Sequence, residues 1–234
     1  MGGQRVLVGP GRGHRFELRS LPLLYRIRNR GSVALGRYEP RVTAFLAERL
    51  RSCSVFVDVG ACTGYYTRVA LNLMDPGGRV IAFEPDPDAA ARLRLNFDDS
   101  RLTLRTEALG KDDHGAVLDR RAGAASRVRG ESIAGSGFRD SASVNVRSLD
   151  GLVQAGELPT PELLKLDVEG GEMLVLEGMS AVLERRPALA VECHSMPLLS
   201  EVLDLLIGYG YDHLEVTHGG DDVGPPTVLA TTAV

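Results

Sequence analysis

The chain is predicted to be an α/β protein. Its mostly parallel sheet carries helices on both faces and closes with a C-terminal antiparallel hairpin. Three segments support this. Val55–Val59, Arg79–Glu84 and Leu163–Asp167 are short apolar runs. Each is broken and then followed by apolar residues at helical spacing, the alternation expected of parallel strands joined by crossover helices.

Along the chain, Val6-Leu-Val8 and Phe16-Glu-Leu18 flank Gly9-Pro10-Gly11-Arg12-Gly13 and read as a small hairpin. The turn lacks the Gly-Lys-Ser/Thr ending of a phosphate loop. Residues 1–37 form a basic extension, a hairpin or helix packed on the core, and 38–234 form the main domain. Tyr38-Glu39-Pro40 leads into a helix with Val42, Phe45, Leu46 and Leu50 on one face. After the strand at 55–59, Gly60 and Gly64 bracket a tight turn, and Tyr66, Val69, Ala70 and Leu73 mark a helix. Pro85-Asp86-Pro87 ends the next strand, and Ala89, Leu93 and Phe97 share a helical face. Leu102 to Thr106 is a third strand. Residues 120–143 are rich in Gly, Ser, Ala and Arg without periodicity, and read as a lid or surface excursion. Order returns at Val144-Asn-Val-Arg147 and Leu149-Asp-Gly-Leu-Val153. A helix after Asp167 buries Val175, Met179, Val182 and Leu183. Ala188 to His194 is a strand, Leu198 to Ile207 a helix, and 211–217 with 227–232 the closing hairpin.

At 234 residues and 44% hydrophobic content, the chain fits one domain with a sizeable core. No apolar run approaches a membrane span, and the start has no signal-peptide core. Cys53, Cys62 and Cys193 contain no C-x-x-C pair, which argues for a reducing cytoplasm and against zinc or a disulfide framework. Cys193 reads as a buried thiol, Cys62 as a crevice residue. Residues 1–55 carry a balance of +8 and the remainder −12. Arginine is the default cation throughout, with Lys only at 111 and 165. There is no Trp, so stacking platforms for bases are scarce and nucleic acid is disfavoured as a partner.

The first glycine turn reads Asp58-x-Gly60-x-x-x-Gly64, not G-x-G-x-x-G. A carboxylate at the mouth repels phosphate and suits an ammonium or sulfonium, which points to S-adenosylmethionine. Glu84, at the tip of the second strand, can accept both ribose hydroxyls, and no Lys or Arg lies between Arg79 and Arg92 to favour phosphate. Ligands of open parallel sheets sit beyond the carboxyl ends of the strands. Asp58, Glu84, Asp167, Glu192 and His194 all fall there.

Phe56-Val-Asp-Val-Gly-Ala61 with Gly64-Tyr-Tyr-Thr67, Ala82-Phe-Glu-Pro-Asp-Pro87, and Lys165-Leu-Asp-Val-Glu-Gly170 with Glu172 occur in this order. Together with Pro187-Ala-Leu-Ala-Val-Glu192 and His194, they resemble the FkbM-type methyltransferases over residues 38–217. The resemblance implies a class I methyltransferase Rossmann-like fold for 38–234 and S-adenosyl-L-methionine as cofactor. It implies cofactor contacts at Asp58, Gly60, Ala61, Gly64, Glu84, Asp86 and Ala108, with Asp167 near the methionine moiety. It also implies O-methylation of a small hydroxylated metabolite, such as a sugar or a macrolide. Position 62 holds Cys where the family often has Asn.

A sugar hydroxyl is a weak acid, so its methylation needs a base or a metal. His194 is the expected base, with Asp167, Glu169 and Glu192 as catalytic neighbours. Residues 192 and 194 share one face of a strand. His14, His114, His213 and His218 read as loop or periphery. No metal is assigned; the alternative has Asp167, Glu192 and His194 holding Mg²⁺. Glu172 reads as a helix-start charge. Competing readings are N-methylation of a small amine, a cofactor-binding module without catalysis, and an RNA-binding protein. Oligomeric state is open, a homodimer included.

Overall fold

The computed structural model describes residues 4–16, 35, 37–120, 127–129, 141–218 and 224–233. Strands β3 (Val55–Val59), β4 (Arg79–Phe83), β5 (Leu102–Arg105), β10 (Leu163–Leu166), β11 (Ala188–Glu192), β12 (His213–His218) and β13 (Pro226–Thr231) form a seven-stranded sheet. Its order is β12-β13-β11-β10-β3-β4-β5. The five strands from β5 to β11 run parallel, and β13 is antiparallel to both β11 and β12. The predicted parallel sheet and closing hairpin are therefore present, in the arrangement of a class I methyltransferase.

Strand alternation sorts the core into two layers. Val55, Val57, Val59, Ile81 and Phe83 face α4 (Leu149–Gln154), α5 (Glu172–Glu177), α6 (Ser180–Leu183) and α7 (Met196–Gly208). Phe56, Val80 and Ala82 face α1 (Pro40–Arg49), α2 (Tyr65–Leu73) and α3 (Pro87–Asn96). Both faces are covered, which is why these strands read as continuous apolar runs rather than alternating ones. Among the described residues no helix is long and apolar enough to cross a membrane.

The N-terminal residues pair as a small antiparallel hairpin, β1 (Gln4–Arg5) with β2 (Arg15–Phe16). Val6 is buried, and the Asn72 side chain donates to the carbonyls of Pro10 and Arg12, both at 2.9 Å. His14 is not peripheral: it is buried edge-on against Tyr65, with ring centroids 5.8 Å apart.

A second sheet departs from the sequence reading. β6 (Ala108–Leu109), β7 (His114–Asp119), β8 (Arg127–Arg129) and β9 (Ser141–Arg147) pair in the order β6-β9-β7-β8 around Ala108, Ala116, Leu118, Val144 and Val146. β7 carries only two buried apolar side chains beside a Gly, too weak a period to read from sequence. The rest of the expected 120–143 loop, residues 121–126 and 130–140, lies outside the described residues. The helix expected after Asp167 is also broken, into α5 and α6. Gly178 ends α5, and a Cβ there would lie 1.9 Å from the Gly110 carbonyl oxygen.

The order reverses at β3, which pairs with β4 on one side and β10 on the other. Such a switch point opens a crevice at the strand carboxyl ends. Gly60 locks its floor. The N–H groups of Gly60 and Ala61 both donate to the Phe83 carbonyl at 3.0 Å. Gly60 has φ +77°, and a Cβ would stand 1.8 Å from the Asp167 carbonyl oxygen. Gly60→Ala should therefore cost about 1–3 kcal/mol, the range for a strained backbone position. Urea unfolding tests this; a variant as stable as wild type would refute it.

Candidate active site

The carboxyl ends of the strands carry two groups of polar side chains. At the end of β4, Glu84 is nearly buried. Its Oε2 accepts from the Cys62 N–H at 2.7 Å and its Oε1 from the Asp86 N–H at 2.8 Å. Burial pushes its carboxyl up to about 7, and these two amides pull the other way. An ionised carboxylate has about four acceptor sites, so two remain for a ligand. Cys62 turns the chain toward Glu84 with φ +49°, and burial raises its thiol to about 12. A cleft of about 780 Å³ adjoins this group, lined by Pro85, Thr106, Glu107, Ser143 and Asn145 among others.

The other residues expected at the cofactor have these partners within the fold. Asp58 does not sit at the mouth. It lies on the α2 face of β3, only 2% exposed, and accepts from Thr67 Oγ1 at 2.6 Å. Strand parity decides this: position 58 points with Phe56 toward α2, where it braces the helix. Asp86 Oδ1 caps α3 through the Asp88 and Ala89 amides, and its Oδ2 is 2.7 Å from Arg120 Nε. Ala61 packs in the α1–α3 layer and Ala108 in the core of the small sheet. Gly64 caps α2 with φ +81°.

The second group gathers at β10 and β11. The buried Lys165 Nζ lies 2.9 Å from Asp167 Oδ2 and 3.5 Å from Glu192 Oε2. Burial pulls this ammonium's pKa down, but the two carboxylates outweigh it and hold it above the ordinary lysine range. Burial likewise pushes Asp167 up, and Lys165 more than reverses that, keeping it ionised. Burial raises Glu192, against the pull of Lys165.

His194 follows β11. Its Nδ1 is 2.8 Å from Glu172 Oε1, while Nε2 faces Glu169 Oε2 at 3.3 Å, Asp167 Oδ1 at 3.6 Å and Glu192 Oε1 at 3.9 Å. Asp167, Glu169, Glu192 and His194 thus converge as predicted. The surroundings of His194, the expected base, do not favour the neutral ring that a base requires. Burial lowers its pKa, but the Glu172 hydrogen bond and the surrounding carboxylates raise it to about 9, so the ring is cationic at neutral pH. Cys193 is a buried thiol, as read from the sequence.

Glu172 is more than a helix-start charge. Its side chain is fully buried, and Oε1 also accepts from the Val168 and Gly170 amides at 3.3 and 3.1 Å. It folds the 167–171 loop around itself, with Glu169 at φ +57°. Three more participants escaped the sequence reading. Lys165 had a signal: a cation inside an apolar strand requires carboxylate partners. Tyr66 and Glu39 had none. Their side chains hydrogen-bond to each other, and Lys165 Nζ lies 5.4 Å from the Tyr66 ring centroid.

A family model described as a methyltransferase FkbM domain matches residues 58–212, from the first glycine turn through α7. The chain belongs to the FkbM methyltransferase family. It is 29% identical over 190 residues to hexuronic acid methyltransferase AglP of Haloferax volcanii, covering 79% of this chain and 72% of that protein. Its fold is similar to the crystal structure of Methyltransferase FkbM from Methylobacillus flagellatus, with a TM-score of 0.57 and 19% identity. The match covers 76% of this chain but spans only 43% of that protein's length.

S-adenosylmethionine is the cofactor of this FkbM methyltransferase domain. The donor set suits it: Glu84 keeps acceptor sites for a ribose diol, and the acidic strand ends favour a sulfonium and an ammonium. Because the free Glu84 carboxyl titrates at about 7, cofactor affinity should fall as pH drops through that value. Glu84→Ala should weaken binding by roughly 1.5–3 kcal/mol. Calorimetry from pH 8 to pH 6 tests both; a flat profile with wild-type affinity in the variant would refute the assignment. Lys165→Met should destabilise the fold by roughly 3–5 kcal/mol, because Asp167 and Glu192 lose their buried counter-charge. Denaturant unfolding at neutral pH measures this, and a neutral substitution would count against it.

Proposed function

We propose that this FkbM-family enzyme transfers the methyl group of S-adenosylmethionine to a hydroxyl of a small sugar-type metabolite. One observation carries the reading. A nearly buried carboxylate suited to a ribose, Glu84, stands at the carboxyl end of the same sheet as a separate carboxylate–imidazole cluster around His194. The relative AglP is described as acting on hexuronic acid, a polyhydroxylated sugar acid, and that supports a sugar acceptor here.

When bound, the cofactor supplies an electrophilic methyl group with a neutral thioether as leaving group. Glu84 holds the ribose hydroxyls. On the acceptor side, positioning supplies much of the rate, because the displacement is in line. The acceptor oxygen gains the methyl carbon and loses its proton. Glu169 Oε2, 3.3 Å from His194 Nε2, is the oxygen assigned to take that proton. Glu172 fixes the imidazole through Nδ1, and Lys165 sustains the charge of Asp167.

His194→Ala should lower turnover, because the carboxylates of the cluster lose the imidazolium that holds them in place, with cofactor affinity nearly unchanged. A methyl-donor assay across uronic acids and neutral sugars, paired with calorimetry, tests this. Wild-type turnover in the variant would remove the cluster from catalysis. A methylated amine but no methylated hydroxyl would replace the reading.

A further inference from the structure

We propose that Asp167, Glu172 and His194 bind one divalent first-row cation, with Mn²⁺ the best-matched ion. Each residue offers one ligand atom, and these atoms lie within 4.8 Å of one another. They come from the end of β10, the start of α5 and the end of β11, so the sheet and one helix fix their spacing.

An independent observation sits in the same cluster. Glu172 is fully buried, and its two oxygens are unequal. Oε1 has three partners, the Val168 and Gly170 amides and His194 Nδ1. Oε2 is buried with no hydrogen-bond partner. A buried carboxylate oxygen without a donor carries a desolvation cost that a cation would remove.

Local charge points the same way. Asp167, Glu169, Glu172 and Glu192 surround His194, and Lys165 pairs with Asp167 and Glu192. Lys165 engages Asp167 Oδ2 and Glu192 Oε2, which leaves Asp167 Oδ1 directed at His194 Nε2, 3.6 Å away. An ion would displace the proton that His194 Nδ1 shares with Glu172, leaving that nitrogen and the Glu172 carboxylate, now 2.8 Å apart, to face one metal. Imidazole beside carboxylates suits Mn²⁺, whereas Mg²⁺ favours all-oxygen coordination. The ligand set differs from the one read in the sequence: Glu172 takes the place of Glu192, which Lys165 occupies.

The inference rests on the cluster being the acceptor side. There the ion would polarise the acceptor hydroxyl, and Glu169 would receive its proton. The test uses full-length enzyme stripped with EDTA, dialysed and titrated with MnCl₂, following free Mn²⁺ by electron paramagnetic resonance. Saturable uptake of one ion per chain is expected, lost in Asp167→Asn and in Glu172→Gln. Stripped enzyme should bind S-adenosylmethionine by calorimetry yet regain methyl transfer only with added Mn²⁺. Glu172 also holds a loop, so Asp167→Asn is the deciding variant if Glu172→Gln does not fold. Absence of saturable uptake, or uptake unchanged in Asp167→Asn, overturns the site. Full turnover in stripped enzyme overturns it too, while leaving the methyltransferase reading intact. Mn²⁺ uptake without methylation of any hydroxyl would keep the site and sink that reading.

Discussion

The acidic end of this sheet depends on one buried ammonium. Lys165 lies inside β10, flanked by strands on both sides, where a lone charge would be prohibitively costly. Its partners are Asp167, two residues on, and Glu192 on the neighbouring strand. Parallel pairing places Lys165 opposite Ala190, so Glu192 projects beside it from the same face. The pair of carboxylates keeps the lysine charged, and the lysine keeps Asp167 charged. The remaining acidic groups of the crevice are arranged on that foundation.

The switch point converts this electrostatic arrangement into a site. β3 ends in a turn whose amides are tied to Phe83, and Gly60 brings that turn against the Asp167 carbonyl. The loop after Asp167 cannot then extend outward. It folds around Glu172, which takes two loop amides and the His194 ring on one oxygen. The ends of β4, β10 and β11 thus belong to one sheet, with β3 between β4 and β10.

The same logic explains why some acidic residues are not available to a ligand. Asp58 and Asp86 look equivalent to Glu84 in sequence, since all three stand at or just beyond a strand end. Asp58 is turned onto Thr67 of α2, and Asp86 is spent on the first turn of α3 and on Arg120. Glu84 accepts one backbone amide on each oxygen.

The sequence by itself determined the sheet, its direction and the strand ends. Apolar runs of four or five residues, glycine turns and helical spacing are local signals, and they placed β3, β4, β10 and β11 with Glu84, Asp167, Glu192 and His194 at their tips. It also carried the family, through motifs in a fixed order. Only the tertiary structure decided which carboxylates are free and which are bound, because that depends on partners far apart in the chain. Glu172 meets His194 across 22 positions and Glu39 meets Tyr66 across 27, distances over which composition and periodicity carry no information. The small sheet was hidden for the same reason: β7 is stabilised by pairing with β9 rather than by any strong pattern of its own.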